Sequence, residues 1–89
     1  MPVIKIPAVI SDTGSSKKVE VSAKTVKEAI EEYTETEDEN LANEVLENGA
    51  VKEYVNVYVN GKDVRNIQGV DTPLEEDDEI RIIPAASGG

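Results

Sequence analysis

Tyr54-Val55-Asn56-Val57-Tyr58-Val59-Asn60-Gly61 is the stretch on which the fold turns. Successive side chains of a strand point to opposite faces, so Val55, Val57 and Val59 face a core while Tyr54, Asn56, Tyr58 and Asn60 face outward. Asn60-Gly61 is a strong two-residue hairpin signal and leads into Lys62 to Arg65. Downstream, Asn66 to Glu79 is irregular, with Gly69, Pro73 and an acidic run, and Ile80-Arg81-Ile82-Ile83 returns as a closing strand halted by Pro84. Upstream, Val3 to Ile10 reads as a first strand in which Pro7 marks an edge or a bulge. Ser11 to Ser16 has turn composition, and Lys18 to Ser22 alternates as a second strand, which makes a hairpin.

After Ser22 the apolar period lengthens from two towards 3.6. Val26, Ala29, Ile30 and Tyr33 share one face, with Lys27, Glu28, Glu31 and Glu32 around the other. This predicts an amphipathic helix, with Thr25 and Glu28 spaced as a capping box. Glu35 to Glu39 reads as a solvated helix end or loop. Leu41, Ala42, Val45 and Leu46 have the spacing of a second short helix or a continuation, stopped by Asn48-Gly49.

The expectation is an α+β chain: a mixed sheet of four to five strands with one main helix across one face. Val and Ile dominate the apolar residues and Phe and Trp are absent, as suits a sheet filled by short branched side chains. The order is compatible with a β-grasp (ubiquitin-like) fold, in which the first and last strands must pair centrally. Residues 1–84 form one domain in this reading, and 85–89 a flexible tail of small side chains ending in Gly-Gly.

Composition narrows the function. With no Cys and no His among 89 residues, the chain has no thiolate nucleophile, imidazole base, disulfide or Cys-ligated metal. A net charge of −10, from 19 acidic against 9 basic side chains, opposes binding to nucleic acid or an anionic membrane. A basic protein partner fits better. No apolar run is long enough to cross a bilayer and Met1-Pro2-Val3-Ile4-Lys5 lacks signal-peptide character, so a cytoplasmic location is expected.

Ala85-Ala86-Ser87-Gly88-Gly89 directly follows the last strand. Glycines without Cβ thread a narrow channel, which lets the Gly89 carboxylate approach another protein's active site. That group needs activation, for example as an acyl-adenylate, before sulfur or an amine attacks it. Other candidates are weaker. Glu75-Glu76-Asp77-Asp78-Glu79 offers calcium-type oxygens but lacks the EF-hand alternation, so no metal site is expected. Tyr54 and Tyr58, with Arg65 and Arg81, form a candidate docking surface or merely a cross-strand cluster. A carboxylate pair for glycosidase chemistry has little room for a cleft.

Residues Tyr54 to Gly89 resemble the C-terminal half of the MoaD/ThiS family of ubiquitin-like sulfur carriers, especially the cysteine-biosynthesis carriers and small archaeal modifiers. The matching pieces are the V-N-x-Y-V-N strand and turn, Asp63-Val64-Arg65, Thr72-Pro73-Leu74 before an acidic turn, the I-x-I-I-P strand and the final S-G-G. The N-terminal half matches through its order of elements. Where the family has L-x-D-G-D, this chain has Leu74-Glu75-Glu76-Asp77-Asp78, which puts Asp77 at the glycine position. Asp tolerates left-handed backbone better than most residues, so the turn survives with some strain.

The resemblance implies a chain that is not itself an enzyme and binds no cofactor stably. Its Gly89 carboxylate would be adenylated by an E1-like adenylyltransferase that uses ATP, then converted to a thiocarboxylate. A sulfur-accepting enzyme, such as a cysteine synthase, a thiazole synthase or the large subunit of molybdopterin synthase, would consume it; transfer-RNA thiolation is a further outlet. Gly89 would be the activated residue, Gly88 the second threading residue, and Ile83, Pro84, Ala85, Ala86 and Ser87 the segment held in a partner's groove. The alternatives are a ubiquitin-like modifier joined through Gly89 to target lysines, and an inert interaction module.

Overall fold

The computed structural model describes residues 1–11 and 13–84; Asp12 and Ala85 to Gly89 lie outside the described residues. In chain order the elements are β1 (Val3–Ile6), a 3-10 turn (Ala8–Ile10), β2 (Lys17–Glu20), α1 (Val26–Thr36), α2 (Leu41–Val45), β3 (Leu46–Glu47), β4 (Ala50–Val51), β5 (Val55–Val59), β6 (Lys62–Asp63), two further 3-10 turns (Val64–Asn66 and Gly69–Asp71) and β7 (Glu79–Pro84). The main sheet has the order β2-β1-β7-β5-β6. β1 runs antiparallel to β2 and parallel to β7, and β5 runs antiparallel to both β7 and β6. The first and last strands therefore lie side by side, the arrangement the β-grasp requires.

Alternation fixes which face is core. Ile4 and Ile6 of β1, Val57 of β5 and Ile80 and Ile82 of β7 are buried, and one cluster joins them to Val26, Ala29, Ile30 and Tyr33 of α1. Each such aliphatic side chain stabilises the fold by roughly 1.5–3 kcal/mol relative to exposure. The start of α1 is fixed from two sides. Thr25 Oγ1 accepts from Glu28 N at 3.2 Å, and Glu28 Oε1 accepts from Lys24 N at 3.1 Å, a capping box whose return bond lands one residue early. Val26 N donates to Thr72 O and Leu74 N to Lys24 O, which ties the segment before β7 to the helix entrance.

Several boundaries differ from the sequence expectation. β1 ends at Ile6 rather than Ile10, because Pro7 lacks an N–H and its carbonyl instead accepts from Ile10 N and Ser11 N in a 3-10 turn. β2 starts at Lys17 and stops at Glu20. Asn48-Gly49 is not a bare helix stop: α2 ends at Val45, and Asn48 (φ 55°) and Gly49 (φ 81°) turn a small hairpin between β3 and β4. Asp38 is buried rather than solvated, and its Oδ1 accepts from Asn40 N at 3.0 Å ahead of α2. Pro84 does not halt β7 from outside; it belongs to the strand and is paired opposite Val55.

Asn60-Gly61 turns as expected, with φ of 52° and 85°. Its side chain also holds the neighbouring turn: Asn60 Nδ2 donates to Asp78 Oδ1 at 2.7 Å and Oδ1 accepts from Glu79 N at 2.9 Å. Among the described non-glycine residues only Asn48 and Asn60 have positive φ, so Asp77 carries no left-handed strain. The acidic turn closes instead through Asp78, whose Oδ2 accepts from Glu75 N at 2.7 Å.

Candidate functional site

β7 delivers the chain to the candidate tail. It is flanked by β1 from Val3↔Glu79 to Lys5↔Arg81 and by β5 from Val59↔Ile80 to Val55↔Pro84, so its direction at Pro84 is set by hydrogen-bonded neighbours on both sides. Ile80 and Ile82 point into the core and Arg81 and Ile83 outward, Ile83 being 39% exposed. The remaining tail candidates, Ala85, Ala86, Ser87, Gly88 and Gly89, lie outside the described residues.

The four docking candidates separate. Tyr58 and Arg81 are paired opposites on the outer face, and Arg81 is exposed. Tyr54 is exposed but precedes β5 rather than belonging to it. Arg65 does structural work. Its guanidinium donates to Asn56 Oδ1 at 3.0 Å and to the carbonyls of Lys52 (2.7 Å) and Val55, while its own N–H is capped by Asp63 Oδ1 at 2.8 Å. Arg65 thus fastens the start of β5, the segment that pairs with Ile83 and Pro84.

The outer face is graded along the strands. Furthest from Pro84, Glu20, Val3 and Glu79 stand opposite one another. The next outward row is Lys18, Lys5, Arg81, Tyr58 and Asp63, one residue from each strand of the main sheet. Ile83 and Asn56 follow, nearest the tail. Glu79 lies between two cations, 3.2 Å from Lys5 Nζ and 3.3 Å from an Arg81 nitrogen. The hydrogen bond from Lys5, with a smaller contribution from Arg81, holds its carboxyl below the usual carboxylate value.

Sequence reading missed Lys5 and Lys18 as parts of this face. Lys5 interrupts an apolar run, which is the outward position of an alternating strand; that it stands beside Arg81 depends on a parallel pairing between opposite ends of the chain. Among the described residues no group of three or more acidic side chains is placed to hold a metal ion, and no helix is long and apolar enough to cross a membrane.

Comparison with known proteins bears on what this site serves. Residues 4–89 match the ThiS family. The chain is 30% identical over 90 residues to the sulfur carrier protein CysO of Mycobacterium tuberculosis, covering 97% of this chain and 96% of that protein. It is 38% identical over 55 residues to small archaeal modifier protein 3 of Haloferax volcanii, a match that spans 62% of this chain and 60% of the relative. A chain in the crystal structure of the Amycolatopsis orientalis BexX/CysO complex superposes with a TM-score of 0.90 at 29% identity, with complete coverage of both chains. The fold is the ubiquitin-like β-grasp.

Proposed function

The chain belongs to the ThiS family of sulfur carriers and ubiquitin-like modifiers, and from that premise we propose that Gly89 bears the group it carries. In the first step a carboxylate oxygen of Gly89 attacks the α-phosphorus of ATP within an E1-like adenylyltransferase, and pyrophosphate leaves. A sulfide-level nucleophile then attacks the acyl carbon and expels AMP, leaving a thiocarboxylate. A sulfur-accepting enzyme of cysteine, cofactor or transfer-RNA biosynthesis consumes it, in the cytoplasm. The observation that carries this reading is the placement of β7, a central strand held on both sides, whose outward Ile83 and last residue Pro84 lead directly to residues 85–89. A group presented to an enzyme gains from a rigid base, because the ordering cost then falls on a few residues only.

The same acyl-adenylate reacts with a lysine amine to form an isopeptide, and the modifier named among the relatives favours keeping that second reading. Intact mass of the untagged protein from its native host decides between them. A shift equal to exchange of one oxygen for sulfur supports the carrier. Conjugates support the modifier; because Arg81 is the last basic residue, trypsin would leave residues 82–89 on the target lysine. Deletion of Gly89 is expected to abolish ATP-dependent activation while leaving the urea midpoint unchanged, and retained activation would overturn both readings.

A further inference from the structure

Acidic side chains outnumber basic ones 19 to 9, yet the sheet surface next to the tail is cationic. Lys18, Lys5 and Arg81 stand in register on β2, β1 and β7, and with Lys17 they line an open groove of about 500 Å³ that also exposes Pro7 and Ile83. Glu79 meets this row from the side away from Pro84, bridging Lys5 and Arg81, and Asp63 ends the row on β6. The groove lies at the end of β7 from which the tail departs.

We propose that this groove docks an acidic, apolar-edged segment at the channel mouth of the activating enzyme, so that the enzyme that takes the tail also grips the face it leaves; the inference rests on the carrier reading of Gly89. Charge complementarity carries it. A surface with net charge −10 repels an acidic segment at long range, and the row of Lys5, Lys18 and Arg81 attracts it at close range, so the approach that ends beside Ile83 is favoured. Arg81 suits the role because its planar fork binds a carboxylate with two parallel hydrogen bonds, and Ile83 and Pro7 supply the adjoining apolar contact. At physiological salt the Debye length is about 8 Å, so the local row outweighs the distant acids once the surfaces approach. The same net charge disfavours a nucleic-acid backbone, which is long and uniformly anionic.

The test titrates the isotopically labelled full chain, followed by amide NMR, with an octapeptide of alternating glutamate and leucine. Parallel titrations use oligothymidylate, and sedimentation reports self-association. The expected result is shifts centred on Lys5, Lys18, Arg81 and Ile83, with affinity falling about tenfold in the Lys18→Glu/Arg81→Glu double variant and less in Arg81→Gln. Absent shifts, shifts centred elsewhere, tighter binding of oligothymidylate at the same amides, or shifts that grow with the concentration of the chain alone would overturn it. Pyrophosphate exchange with a ThiS-family activating enzyme provides the second readout. A raised KM with unchanged kcat in the double variant supports the groove, and an unchanged KM overturns it. If wild type binds the peptide but supports no exchange, the carrier reading falls while the groove stands.

Discussion

The two faces of the main sheet are built from the same strands and differ in almost everything else. On β7, Ile80 and Ile82 are fully buried beneath α1, whereas Arg81 and Ile83 on alternate positions are exposed. The inner face is aliphatic on the three central strands, with lysines only at its margins on β2 and β6; the outer one passes from a row with Glu20 and Glu79, through the Lys18, Lys5 and Arg81 row, to Ile83 and Asn56. One strand thus carries stability on its even-numbered residues and recognition on its odd ones. Substitutions one residue apart should separate the two properties.

The largest expected effect is on the inner face. Ile82→Ala leaves a cavity in the core cluster that β7 shares with α1 and should cost about 2–5 kcal/mol, read as a lower urea midpoint at constant slope. Arg65→Ala comes next, at about 1–3 kcal/mol, because it removes the Arg65 donor from the part-buried carbonyl of Val55 and leaves Lys52 O with Val55 N alone. Amide exchange should quicken first at the start of β5; uniform loosening of the sheet would mean that Arg65 is not a local fastener.

The neutral variant Lys18→Gln/Arg81→Gln should move stability by no more than about 1 kcal/mol, the scale of an exposed ion pair, while weakening docking, and a larger loss would break the division between faces. The smallest effect belongs to Glu79. Its folded-state carboxyl is held below the ordinary value of 4.5, so its contribution is present above that value and lost as pH falls through the lower folded one. Glu79→Gln should flatten this part of the acid limb of a pH-stability curve, and an unchanged limb would show that the Lys5 and Arg81 contacts contribute nothing measurable.

Legibility in the sequence followed the range of the interaction. β5, α1 and the Asn60-Gly61 turn were readable because alternation, helical spacing and turn chemistry act over a few residues. The central pairing of β1 with β7 was required by the fold expectation but not visible in any window, since its partners lie at opposite ends of the chain. That hidden pairing is also why Lys5 read as an interruption rather than as a neighbour of Arg81. Asn48-Gly49 has the same dipeptide as the clear turn, yet its flanking strands are two residues each and too short to alternate. Arg65 was legible as a docking candidate and proved to face backbone carbonyls, a role that composition does not mark. Tyr58 with Arg81 is the part of the candidate surface that the register brought together.

The position of β7 also has a mechanical meaning. A pull applied through residues beyond Pro84 acts along the strand axis, and β7 is bonded laterally to β1 on one side and to β5 on the other. Such a load shears both ladders at once instead of peeling one bond at a time, as it would at an edge strand. A partner that draws on the end of this chain therefore tugs against two ladders together, and the domain resists being unravelled from that end more than it would from an edge strand.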